Sequence, residues 1–227
     1  MAPFEGSAQG SRWIHLILLF FFAVAMAYLE AAVVVYLRKI YYTQGFSFPL
    51  QMIDKKMLVV EIGRELATIV MLLTVSLIAG RSFYERFAML SIAFAVWDIF
   101  YYVWLKVLLG WPESLFTWDI LFLIPLPWVG PVLSPVAVSL SLILGAALIL
   151  CRLWCGGVFA PDIREWLIAS GGAFLIMLSY ILDFQAGVGG AIPRPYRWDL
   201  LLVGLAAGFY ALARTLARTK EGSACDE

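Results

Sequence analysis

The stretch Val59-Val60-Glu61-Ile62-Gly63-Arg64-Glu65-Leu66-Ala67-Thr68-Ile69-Val70 decides how this chain is read. It belongs to a long apolar segment, yet three charged side chains fall within five residues. A charge placed in hydrocarbon costs about 2.5–3.5 kcal/mol on insertion scales. Two carboxylates and a guanidinium must therefore be paired, or must face a polar interior. Helical spacing permits this. Glu61 and Glu65 are i,i+4 and share a face, and Arg64 lies i+3 from Glu61.

Working outward, the composition makes lipid the solvent. Of 227 residues, 63% are hydrophobic and 14% charged, with a mean hydropathy of +0.90. A soluble domain carries roughly 45–50% apolar and about 25% charged residues. Such an apolar excess does not fit inside one soluble core. Nine Trp suit a chain with two membrane–water interfaces to anchor. The formal net charge is zero and no basic stretch is long, which excludes nucleic acid as a partner. The length suits a single transmembrane domain over residues 1–227. The apolar run after residues 1–12 exceeds the roughly 7–15 residues of a signal-peptide core, so a retained first helix is expected. Cys151, Cys155 and Cys225 do not make a disulfide framework.

A membrane-crossing helix needs about 20 mostly apolar residues. Six segments qualify: 13–37, 57–80, 87–109, 132–154, 166–182 and 198–212, with a short polar tail over 213–227. The expected fold is an all-α integral membrane protein, a compact bundle of six transmembrane helices. Between the third and fourth spans, residues 111–135 hold Pro112, Pro125, Pro127, Pro131 and Pro135. Proline removes a backbone donor, so no continuous helix runs through them. Two forms remain open for this segment. One is an interfacial loop anchored by Trp118 and Trp128. The other is a re-entrant half-helix over 118–124, tolerated at depth only against protein or a wet cavity. Pro131 and Pro135 would sit near the start of the fourth helix, where proline costs least.

Orientation is nearly balanced. With the N-terminus in the cytoplasm, eight Lys/Arg lie inside and seven outside, with Arg64 within a span. The basic turn at Arg81 and Arg86 and the basic C-terminal end favour a cell-membrane protein with both termini cytoplasmic.

Depth along the helices gathers the ionisable groups. At 1.5 Å per residue, Glu61 lies about 6 Å and Glu65 about 12 Å inside the second span, and Glu30 about 10 Å inside the end of the first span at Leu37, just before Arg38. Asp98 falls near the middle of the third span, on a polar stripe with Tyr101 and Tyr102. Alternation places Asp119, Asp183 and Asp199 on this same side, the side of the linker between spans one and two. Spans one to three can therefore turn Glu30, Glu61, Arg64, Glu65, Asp98 and Tyr101 or Tyr102 inward, beneath the Pro-rich segment with Asp119. The plain alternative is a buried ion-pair network that sets helix register.

Several chemistries are testable against these residues. A di-metal carboxylate site pairs Glu with His on facing helices. The one histidine, His15, is placed at the opposite membrane face, and Arg64 already supplies positive charge, so no metal is assigned. Bis-His haem is excluded and no phosphate-loop or zinc motif occurs, so no cofactor is identified. Gly204 and Gly208 form Gly-x-x-x-Gly, a close-packing pattern.

The reading is a multi-pass protein with a small-molecule, lipid or proton-coupled transport or binding site. A membrane enzyme is the first alternative, with Asp98 and Glu65 as acid–base pair on a lipid or isoprenoid and Arg64 orienting an anionic group. A non-catalytic subunit is the second, held by its helices to a membrane-protein partner or to its own copy.

Overall fold

The computed structural model describes residues 5–41, 55–182 and 195–219. Six helices are present among them: α1 (Glu5–Tyr41), α2 (Lys55–Ala79), α3 (Phe83–Leu109), α4 (Leu133–Trp154), α5 (Ile163–Ile181) and α6 (Trp198–Arg218). Two short strands, β1 (Trp118–Phe122) and β2 (Trp128–Pro131), stand between α3 and α4. Five of the helices, α1, α2, α3, α4 and α6, are long and apolar enough to cross a membrane. The exception is α5, 19 residues long with Arg164 and Glu165 in its first turn.

Local chemistry sets the helix ends. Ser82 caps α3 by accepting the Glu85 N–H at 3.2 Å. Gly110 ends it with φ of 68°, a left-handed conformation that glycine adopts without strain. Asp162 and Glu165 form a capping box at the start of α5. Pro135 sits in the first turn of α4, where its missing N–H leaves no helical bond unmade.

α3 is the central helix and packs against α1, α2 and α4. Alanines make the close approach. Ala23, Ala27 and Ala31 of α1, and Ala88, Ala93 and Ala95 of α3, are fully buried. Small side chains let the two helix backbones approach closely. α5 and α6 form a second pair, crossing where a Cβ on Gly204 would come within 2.6 Å of the Gly172 carbonyl oxygen. Outward faces are oily, with Ile78 75% and Val59 69% exposed. This inverts the soluble pattern and is consistent with a membrane protein.

The region 111–135 does not take the half-helical form over 118–124. Trp118, Asp119 and Ile120 pair with Pro131, Gly130 and Val129 in an antiparallel hairpin, and an irregularity precedes the Phe122–Trp128 pair. Pro125 and Pro127 occupy the turn and bar a helix there. Aromatic and β-branched residues on either side favour strands. Trp118 and Trp128 are also packed inward: Trp128 stacks on Tyr180 at 5.7 Å and Trp118 meets Tyr196 edge-on at 6.0 Å. The expected tail over 213–227 is another difference. α6 continues to Arg218 because Arg214 and Arg218 both bond Glu165 of α5, at 3.5 and 3.0 Å.

Of the two Gly-x-x-x-Gly residues, Gly204 would direct a Cβ into the helix crossing, whereas a Cβ on Gly208 would meet nothing within 4 Å. Gly204→Ala should therefore lower the unfolding free energy in detergent by about 1–3 kcal/mol. Gly208→Ala should leave it unchanged or raise it by up to about 1 kcal/mol. Equal melting temperatures for the two variants would contradict this crossing.

Candidate functional site

A cavity of about 130 Å³ lies where α1, α2 and α3 meet the hairpin. Each element delivers its polar groups by simple periodicity. Glu30 and Arg38 are two turns apart on α1, and Glu61 and Glu65 one turn apart on α2. Trp97 and Tyr101 stand one turn apart on α3, and Asp119 comes from β1.

Arg64 joins the first two helices. Its guanidinium pairs with Glu30 across the helix boundary and with Glu61 on its own helix, where Nε and the second nitrogen lie 3.0 and 2.9 Å from Oε2. Thr68 donates to Glu30 at 3.1 Å. Glu65 points instead to the hairpin, its two carboxylate oxygens accepting the Leu123 N–H at 3.1 and 2.9 Å. Arg38 reaches Asp119 at 3.4 Å and lies 3.8 Å over the Trp111 ring. Asp119 lies outside the helices. Burial pushes its pKa up to about 6, while Arg38, the Ile120 N–H and the Tyr102 hydroxyl pull it down.

The sequence-predicted residues thus separate. Glu30, Glu61, Arg64, Glu65, Tyr101 and Asp119 line the cavity. Asp98 and Tyr102 do not line it. Asp98 accepts a 2.8 Å bond from Ser139 of α4, and Tyr102 is buried against Tyr101 and Trp111. Asp199 is exposed and paired with Arg197 at 2.8 Å. Asp183 lies outside the described residues. Sequence reasoning missed Arg38, taken only as the end of a span, and Trp97. Arg38 sits two turns from Glu30, and that spacing was the available signal.

The chemistry follows from the inventory. Four carboxylates face two guanidiniums, leaving two negative charges in excess when all are ionised. The indole N–H of buried Trp97 has no hydrogen-bond partner among the described residues. No group of three or more His, Cys, Asp or Glu is arranged to hold a metal ion among the described residues. The volume is ample for several waters or one small solute. Comparison with protein-family models, curated proteins and solved structures gives no match.

The raised Asp119 pKa sets the sign of a pH effect. In the unfolded chain this carboxyl titrates near 3.8, and in the fold near 6. Its contribution to stability is therefore fully present below about pH 3.8 and lost as pH rises through about 6. Asp119→Asn should flatten that part of the melting-temperature profile. Arg38→Met leaves the buried carboxylate unpaired and should cost about 3–5 kcal/mol near neutral pH, with a smaller cost in acid. A pH-independent cost for Arg38→Met would separate the two groups.

Proposed function

We propose that this is a multi-pass membrane protein that binds a small cationic solute in the cavity beneath the hairpin, as part of its transport across the membrane. The excess of two carboxylates in the cavity lining carries the reading. A low-dielectric pocket with net negative charge attracts a cation and rejects an anion. Intramembrane ionisable groups mark such paths more often than chance would place them. Protons that Glu61 and Glu65 accept and release would couple solute binding to proton movement.

In this reading α5 also spans the bilayer, antiparallel to α6, and the hairpin sits at the interface that closes the cavity. The end of the molecule carrying Arg12, Arg81, Arg86, Arg152, Arg164, Arg214 and Arg218 faces the cytoplasm, in line with the positive-inside tendency. The cavity then opens toward the other side. The acid–base enzyme reading draws no support from the geometry, since Glu65 and Asp98 point to different partners.

The test is a thermal-shift titration of the purified full chain with methylammonium and choline chlorides, against sodium chloride and sodium acetate at matched ionic strength. One of the organic cations should give saturable stabilisation, about 2.7 kcal/mol at a hundred times its Kd. Glu61→Gln should weaken that response at least tenfold, while acetate has no effect in either protein. Flat responses to both ammonium ions, or identical responses from parent and Glu61→Gln, would sink the proposal. Co-purification of a stoichiometric membrane partner without any ligand shift would point to the assembly subunit instead.

A further inference from the structure

A second cavity, of about 280 Å³, separates the α3/α4 pair from the α5/α6 pair. Its walls are nearly all apolar and rich in small residues, among them Gly145, Ala169, Ala173 and Gly208. Along α5 the lining runs from Glu165 to Ile176, and along α6 from Gly204 to Thr215. Both distances are about 16 Å at 1.5 Å per residue. Half of a hydrocarbon core about 30 Å thick is about 15 Å, the depth of one leaflet. Phe87 and Phe209 line the cavity and are themselves exposed on the outer surface, so it opens sideways from the bundle.

One end of this slot is charged. Glu165 lines it and is 1% exposed, while Arg214 and Arg218 bond its two oxygens with side chains 40% and 45% exposed. Two guanidiniums on one carboxylate leave positive charge at the mouth. Nearby, Arg164 is exposed, and Asp162 is engaged in capping α5. An apolar slot one leaflet deep, with a cationic mouth at its membrane-surface end, matches a molecule with one apolar chain and an anionic head.

We infer that the cleft between the α3/α4 and α5/α6 pairs binds an anionic phospholipid, one acyl chain in the slot and the phosphate at Arg214 and Arg218. Basic sites between transmembrane helices are a recurrent setting for such headgroups. The two polar sites then lie at opposite ends of the molecule and take opposite charges. The cytoplasmic orientation of the Arg-bearing end would place this mouth in the more anionic leaflet, but the cleft does not depend on it.

The experiment is native mass spectrometry of the full chain in detergent, with dioleoyl phosphatidylglycerol and dioleoyl phosphatidylcholine added in equal amounts. Phosphatidylglycerol adducts should exceed phosphatidylcholine adducts about fivefold, the factor given by about 1 kcal/mol for one Arg facing a headgroup of net negative charge, which the choline ammonium cancels in phosphatidylcholine. Arg214→Gln should abolish that preference while keeping Glu165 paired with Arg218. Gly208→Leu fills the slot from a position with open space around it, and should reduce adducts of both lipids with the melting temperature retained. Should Gly208→Leu fail to fold, Ala169→Leu fills the slot from the α5 wall. Equal binding of the two lipids by the parent, or parent-level adducts in a folded slot-filling variant, would overturn the inference.

Discussion

Arg64 is shared by Glu61 on its own helix and Glu30 on the neighbouring one, and much of the architecture follows from that single guanidinium. α2 turns most of its apolar side chains outward, so burial against the bundle supplies little of its orientation. The charges supply it instead. Turning a carboxylate or guanidinium away from its partners into an apolar surrounding costs several kcal/mol, and the face bearing Glu61, Arg64 and Glu65 is directed to α1 and the hairpin. Buried ion pairs add little net stability, but they penalise every wrong register. Here that penalty acts on the rotation of α2 about its own axis.

Once α2 is so turned, Glu65 is presented to the hairpin and accepts the Leu123 N–H. Arg38 on α1 makes a second tie, to Asp119. On its other side the hairpin stacks Trp128 on Tyr180 of α5 and sets Trp118 against Tyr196, just before α6. The two strands therefore join a group formed by α1 to α4 with the α5/α6 pair. An open two-stranded ribbon is marginal on its own. This one is held by Glu65 and Arg38 on one flank and aromatic rings on the other.

At the far end of the helices the polar contacts do different work. Glu85 accepts the Arg81 N–H at 2.9 Å and the Trp154 indole N–H at 3.0 Å, drawing the α2–α3 turn to the end of α4. Glu165 gathers Arg214 and Arg218. These carboxylates are consumed in closing turns and helix pairs. The acidic excess of the cavity lining thus lies at the hairpin end, while at the other end Glu85 and Glu165 are taken up by turns and arginines.

The helices were legible in the sequence because their causes are local. A run of about 20 apolar residues carries the signal within one short window. The placement of Glu61, Arg64 and Glu65 on neighbouring turns of one helix was legible for the same reason, since helical spacing is constant. Only the tertiary structure decided that 118–131 is a hairpin, because a strand is stabilised by the partner it finds, and prolines announce only what cannot form. Likewise Asp98 shares a polar stripe with Tyr101 in sequence, yet one turns to Ser139 and the other to the cavity. Helical spacing defines a face to within a quarter turn, and neighbouring helices divide what that face contains. The pairs Arg38–Asp119 and Glu65–Leu123 join residues 81 and 58 positions apart. No local pattern encodes such contacts; they exist because a charge or amide taken out of water must find its complement wherever the folded chain provides one.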